Sequence, residues 1–281
     1  MGLSINNTDK VKEQYSKTEG LSTRISIHEK YSTNKMGISN WNFTIYEIKE
    51  GMKVLELGCG TGSMWIEHKD VLARCSEAVI SDFSEAMVKK AESNIGALPN
   101  VKYQVIDIQD IPFEDNYFDV VIANYMLYHV PDLDKALSEV SRVLKPAGHF
   151  YAGTAGEKGI METICSWLGM DNAYKNTFSL ENGGQKLSKY FKKVTIERYI
   201  DSLEVKELDD LMEYIYSGIT FKNICPFSKE ETKNILSEHM VDGVIKLPKD
   251  PGMFVAVKIS EENNVTDSRR GIKGVKISRG A

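Results

Sequence analysis

Along the middle of the chain, short apolar runs of strand length alternate with stretches whose apolar positions recur at helical spacing. Lys53 to Leu57 is the first run. Ser63 to Ala73 then reads as a helix with Met64, Trp65, His68, Val71 and Leu72 on one face. Ala78 to Ser81 is a second strand ending at Asp82, and Glu85 to Ile95 a helix that Ser84 can cap and Gly96 ends. Val101 to Ile106 alternates weakly and reads as a third strand. Phe118 to Ala123 is continuously apolar, as a central strand buried on both faces must be. Leu133 to Leu144 is helical, with Ala136, Val140 and Leu144 on one face, and His149 to Gly153 is a fifth strand.

Five strands separated by helices predict an α/β fold, a doubly wound parallel sheet with right-handed crossovers. The second half departs from simple alternation. Gly159 to Leu168 has helical spacing, Lys193 to Val205 reads as a sixth strand, and Met253 to Ile259 is a closing strand. Between them lie two helical patterns, Leu208 to Tyr216 and one opened by the capping box Ser228 to Glu231. Ser22 to Ile48 adds a segment dense in aromatic and aliphatic residues. These segments exceed what covering the sheet requires, so a lid is expected from some of them.

The turn after the first strand carries the candidate chemistry, with the pattern Glu56-x-Gly58-x-Gly60-x-Gly62. Glycines there let a ligand approach the backbone closely at the carboxyl edge of the sheet. A dinucleotide fingerprint wants a third glycine where this chain has Ser63. A carboxylate two residues before the first glycine opposes a pyrophosphate and suits an amino group beside a cationic centre, the charges of S-adenosylmethionine. About twenty positions after Gly62, Asp82 stands where a βαβ unit places an acid on ribose hydroxyls; its alternative task is to cap the next helix.

At these residues the sequence resembles the class I S-adenosylmethionine-dependent methyltransferases, from about Tyr31 to Ser260, and within them the small-molecule type of the ubiquinone and menaquinone methyltransferase group. The resemblance implies a Rossmann-like seven-stranded sheet, mostly parallel with an antiparallel last strand, plus helical lid insertions. It implies one domain over residues 1–260, with a core of 51–157 and 191–260 and lid or substrate elements at 1–46, 158–190 and 206–247. S-adenosylmethionine would be held by Glu56, Gly58, Cys59, Gly60 and Gly62, by Asp82, Phe83 and Met87, and by Asp107 and Ile108 at the adenine. Asp110 competes with Asp107 for that place. Asn124 and Tyr125 would border the methionine moiety, and Tyr31 the sulfonium. The segment Asn124 to Asp132 faces the acceptor, where His129 is the candidate general base; its plainer role is a hydrogen bond to the turn before Pro131.

Composition narrows the partners. The 281 residues carry a net charge of −5, which argues against a polyanion as the main partner. A small-molecule methyl acceptor is the expectation, and a tRNA or protein methyltransferase of the same fold the alternative. The four cysteines are widely spaced and no histidine sits at zinc-ligand spacing, so no metal is expected. No apolar run reaches the roughly 18 residues of a membrane span, and no export signal is visible, which points to the cytoplasm. Glu261 to Ala281 is polar and basic and reads as a disordered tail.

Overall fold

In the computed structural model, which describes residues 19–170 and 176–258, two helices come first, α1 (Glu19–Tyr31) and α2 (Ile38–Ile45). The expected alternation follows as β1 (Lys53–Leu57), α3 (Lys69–Arg74), β2 (Glu77–Asp82), α4 (Glu85–Ile95), β3 (Val101–Val105), β4 (Phe118–Asn124), α5 (Leu133–Val143) and β5 (Leu144–Ala155). Then come α6 (Ile160–Trp167), α7 (Gly183–Leu187), β6 (Lys193–Arg198), β7 (Asp201–Val205), α8 (Leu208–Ser217), α9 (Ile219–Ile224), α10 (Lys229–Ser237), β8 (Ile245–Lys249) and β9 (Pro251–Val257). Residues 1–18 of the expected cover, 171–175 of the second lid segment and the expected tail 261–281 lie outside the described residues.

Seven strands form one sheet in the order β3-β2-β1-β4-β5-β9-β6. The first five are parallel, and β9 runs antiparallel between β5 and β6. The expected mostly parallel sheet with an antiparallel last strand is therefore present. Successive residues of a strand serve opposite faces. Leu55, Leu57 and Val121 join the core beneath α5, with Leu137, Val140 and Phe150. Val54, Ile80 and Ile122 join the opposite core, with Trp65 and with Ala91 and Ile95 of α4. Helices on both faces explain why β1, β2 and β4 are almost wholly buried.

Three expectations need correction. The helix predicted over Ser63 to Ala73 is a 3-10 turn at Ser63–Trp65 followed by the short α3. Trp65 turns fully inward to bond a buried acid, and His68 pairs with Asn40, so the two cannot share one helical face. The predicted sixth strand, Lys193 to Val205, is two strands in different sheets, β6 in the main sheet and β7 paired with β8. The break falls where Ile200 is 87% exposed while Asp201 turns inward onto Ser32, the Asn34 amide and Lys249. The third correction is to the lid boundaries. Phe178, Leu180 and Leu187 belong to the core beneath α5, although 158–190 was expected in the lid. Leu203 and Val205, expected in the sheet core, instead help form a separate apolar cluster.

That cluster is the core of the cover. Ile27 of α1, Ile160 and Ile164 of α6, Leu211 and Ile215 of α8 and Leu236 of α10 pack around the β7–β8 ribbon. A two-stranded ribbon alone is marginal in water, so the helices stabilise it and it in turn gives them a common surface. The β8 strand was not expected because Pro248, Lys246 and Lys249 mask it; as an edge strand it tolerates them. Among the described residues no helix is long and apolar enough to cross a membrane.

Candidate active site

The site is built at the carboxyl edge of β1, β2 and β4, where backbone leaves the sheet and a cavity of about 330 Å³ opens. Gly58 and Gly62 show why this turn needs glycine. Both have positive φ, 74° and 70°. A Cβ on Gly58 would come within 2.8 Å of Met126, and one on Gly62 within 2.9 Å of Ala91 in α4. The turn is pinned to β2 from both sides: Cys59 N–H donates to the Ser81 carbonyl at 2.8 Å, and Gly60 N–H to Asp82 Oδ2 at 2.9 Å.

Two carboxylates face this turn. Glu56 is 3% exposed, and Oε2 accepts the Trp65 indole N–H at 2.6 Å. Burial is the largest influence on Glu56 and pushes its carboxyl up to about 8; the Trp65 bond opposes this and the charge of Asp82 adds to it. Asp82 accepts backbone N–H groups from Gly60 and from Ser84, the first on Oδ2 and the second on Oδ1, each at 2.9 Å. It thus also does part of the helix-starting work expected of Ser84. Burial raises its carboxyl too, against those hydrogen bonds.

At the third strand, Asp107 and Ile108 line the cavity between Ile106 and Gln109. Asp107 Oδ1 is held by the Gln109 backbone N–H at 2.8 Å. Asp110, the competing acid, is not in the lining. After β4, Asn124, Tyr125, Met126 and His129 form the opposite wall. Tyr125 has a φ of 54° and its N–H donates to the Gly153 carbonyl at 2.8 Å, a strained backbone held by β5. His129 ends a 3-10 turn, Leu127–His129, with its ring edge-on to Tyr128 at 4.5 Å.

Of the residues expected at the site, Glu56, Gly58, Cys59, Gly60, Asp82, Phe83, Asp107, Ile108, Asn124, Tyr125 and His129 line the cavity. Three do not. Gly62 is committed to its contact with α4. Met87 is wholly buried in α4 and lies outside the lining. Tyr31 is drawn away into the cover, its hydroxyl bonded to Asp210 of α8 at 2.6 Å. Sequence reading missed Ile25, Ile38, Asn42 and Met64, which also line the cavity. Asn42 is buried, and its Oδ1 has no hydrogen-bond partner among the described residues. No local pattern announces an asparagine in this role.

A second chamber of about 950 Å³ adjoins the first beneath the cover. Ser63, Met64, Tyr125 and His129 line both, so they form the wall between the two spaces. His28, Tyr128, Ile160, Glu162, Tyr214 and Lys249 line the far side. Lys249 forms a buried ion pair with Asp201 and donates to Ser32 Oγ at 2.9 Å. His28 Nδ1 is buried without a hydrogen-bond partner among the described residues, and its ring meets Tyr214 edge-on at 5.9 Å. Burial, then the nearby Lys249 charge, lowers its imidazolium to about 4, against the pull of Asp201, so the ring is neutral at physiological pH.

The lining fits a ligand that is cationic at one end and a nucleoside at the other. The two carboxyls beside the glycine turn, Glu56 buried and Asp82 half-buried, offer a pyrophosphate no positive charge. The turn also leads into a three-residue 3-10 segment, so no long helix points its positive end at a phosphate. The orphaned Asn42 oxygen is a further acceptor for a positively charged group. Among the described residues no cluster of His, Cys, Asp or Glu could hold a metal ion, and none of the four cysteines forms a disulfide.

Comparison with known proteins agrees with this chemistry. A family model described as a methyltransferase domain matches residues 48–197, more than half of the 281-residue chain. A ubiquinone/menaquinone biosynthesis C-methyltransferase of Idiomarina loihiensis is 38% identical over 104 residues, covering 36% of this chain and 41% of the relative. A sterol 4-C-methyltransferase of Caenorhabditis elegans is 36% identical over 104 residues, covering 37% of this chain and 31% of the relative. Each match spans less than half of the relative's own length. In fold, a phosphoethanolamine N-methyltransferase of Haemonchus contortus superposes with a TM-score of 0.55 at 20% identity, over 92% of this chain and 61% of that one. With a family match over more than half its length, on the glycine turn and acidic strand tips described above, the chain belongs to the methyltransferase-domain family, of the class I S-adenosylmethionine-dependent kind.

Proposed function

We propose that this chain transfers a methyl group from S-adenosylmethionine to a small-molecule acceptor bound in the larger chamber, by in-line displacement. The observation that carries the reading is the shared wall: the two cavities meet at Tyr125, His129 and Met64. A donor in one and an acceptor in the other would face each other across those side chains. The chamber lies beneath α1 and α6, which suits a compact ligand better than a nucleic acid.

When bound, S-adenosylmethionine supplies a methyl group activated by its sulfonium. The rest is work for the chain's own residues. Glu56 and the backbone of Gly58 to Gly60 hold the amino-acid end, Asp82 takes the ribose hydroxyls, and Phe83, Asp107 and Ile108 enclose the base. Asn124 and Tyr125 border the methionine portion. The cover, built from α1, α2, α6 and the helices around β7 and β8, excludes water, and such positioning is worth about 7–11 kcal/mol. His129, on the wall between the spaces, receives a proton where the acceptor atom carries one.

The relatives, a ubiquinone/menaquinone biosynthesis C-methyltransferase and a sterol 4-C-methyltransferase, support a ring-bearing, largely apolar acceptor, and about 950 Å³ is room enough for one. Calorimetry with S-adenosylhomocysteine tests the donor half of the reading. Turnover of radiolabelled S-adenosylmethionine over a panel of ring-bearing acceptors and bulk tRNA tests the other half. Absence of nucleoside binding, or transfer to tRNA alone, would overturn it.

A further inference from the structure

Trp65 is the largest fully buried side chain in the described chain, yet it sits beside the site rather than at the middle of the sheet core. Packing alone would need only an apolar ring there. Instead the indole N–H is aimed at Glu56 Oε2, 2.6 Å away, and is its donor among the described residues. The ring is held in that attitude from the cover. Phe43 of α2 meets it edge-on at 5.2 Å and stacks on His68 at 3.7 Å, and His68 Nε2 lies 2.9 Å from Asn40 Oδ1, also on α2. Trp65 therefore links the cover to the acid expected to meet the cofactor.

We infer that Trp65 is a positioning residue, which holds the Glu56 carboxyl aimed at the cofactor's ammonium group and favours its ionised form there. The inference rests on reading the smaller cavity as the S-adenosylmethionine site. Its physical basis is the conflict at Glu56. The titratable groups facing that carboxyl are Asp82 at the tip of β2, Cys59 on the turn and Tyr46 at the end of α2, and none of them is a cation. Burial and Asp82 both favour the protonated acid, and the indole hydrogen bond works against them. Without it, a larger share of Glu56 would be protonated at neutral pH, and a protonated acid cannot pair with an ammonium.

The test is the affinity of the full-length protein for S-adenosylhomocysteine as a function of pH, in wild type and Trp65→Phe. The ligand's own ionisation cancels in the ratio of the two dissociation constants. The expected ratio is about ten-fold at pH 7, the loss of a charge-assisted hydrogen bond, and it should shrink towards one as pH rises past 9. Glu56→Gln should abolish that convergence. A ratio independent of pH, or a variant that binds like wild type, would overturn the inference.

Because Phe in place of Trp65 leaves a gap in the core, a second measurement uses the wild-type residue. In protein labelled with 15N-tryptophan, the Trp65 indole resonance can be assigned by elimination with Trp41→Phe and Trp167→Phe. It should shift as Glu56 titrates, and the shift should vanish when S-adenosylhomocysteine saturates the site. A resonance that ignores pH would sink the claim even if Trp65→Phe does not fold. Failure of the wild-type protein to bind the nucleoside at any pH would instead remove the donor-site reading on which the inference stands.

Discussion

The side-chain amide of Asn124 donates to the Tyr46 hydroxyl at 2.7 Å, joining the tip of β4 to the end of α2. The same amide lies 3.3 Å from the thioether of Met64. One side-chain amide thus ties the sheet edge, the glycine-turn segment and the cover together. Tyr46→Phe removes this bond from a half-buried amide, which costs about 1 kcal/mol. The expected result is a lower melting temperature and faster amide exchange in α2. Unchanged exchange across residues 38–45 would show that α2 is held by packing alone.

Gly153 presses on Asn124 from β5. A Cβ there would lie 2.5 Å from Asn124 Oδ1 and 3.4 Å from its Cα, and backbone on that strand cannot retreat without breaking its pairing with β4. Gly153→Ala should therefore displace Asn124 and weaken S-adenosylhomocysteine binding at least several-fold, while circular dichroism stays close to wild type. Wild-type affinity in the alanine variant would mean that Asn124 is not part of the donor site.

Asp82→Ala removes the acceptor of the Gly60 and Ser84 amides as well as the proposed partner of the ribose. Loss of a hydrogen bond to a charged group costs about 1.5–3 kcal/mol, so nucleoside affinity should fall by one to two powers of ten. Methylthioadenosine, which keeps the ribose and lacks the amino-acid end, should lose as much. If only S-adenosylhomocysteine is affected, Asp82 does not contact the sugar.

Glu56 gives a proton-release prediction. Its carboxyl in the free protein is pushed up to about 8, and pairing with an ammonium must lower it. Between the bound value and 8, the free protein holds a proton that the complex does not. Binding should then release a proton near neutral pH and strengthen as pH rises towards 8. Calorimetry at pH 7 in phosphate and in Tris, whose ionisation enthalpies differ, reads that proton directly. Equal heats in both buffers would contradict the pairing.

His28 predicts a stability change of opposite origin. Its imidazolium is lowered from 6.5 to about 4 in the fold, so the unfolded chain binds more protons between those values. The contribution is present above 6.5 and lost as pH falls through 4, and it amounts to about 3 kcal/mol when complete. Urea unfolding at pH 7 and pH 4.5 should show a steeper loss in wild type than in His28→Gln. Parallel losses would place His28 in water.

Much of the fold was legible because its strands are buried on both faces and announce themselves as continuous apolar runs, Phe118 to Ala123 above all. The glycine turn was legible because steric demands at Gly58 and Gly62 leave no other residue type. Gly62 was nevertheless assigned to the ligand when its task is to let α4 approach. The cover was only partly legible. Asp201 and Ser32 are far apart in sequence and meet through their side chains at 3.0 Å, and no local periodicity encodes such a meeting. Tyr31 was misplaced for the same reason: its partner, Asp210, lies in a helix contributed by a distant segment. The helix expected after the turn failed because Trp65 follows a hydrogen bond rather than a helical face.

The position of β9 has a consequence for how the chain is made. It is the last described strand in sequence, yet it lies between β5 and β6, pairing His149 with Val257 and Lys193 with the same residue. During synthesis β5 must wait with an open edge until residues 251–257 leave the ribosome, some hundred residues later, which takes about 5–20 s at usual elongation rates. Lys249, Asp250 and Pro251, at the β8–β9 junction, line the larger chamber and arrive at the same moment. The lining of the smaller cavity ends at Pro131, whereas the larger chamber is lined as far as Pro251 and is finished only as the sheet is closed. A nascent chain halted before β9 would carry every residue that lines the smaller cavity and an incomplete larger chamber, with an unpaired strand edge open to neighbours on the polysome.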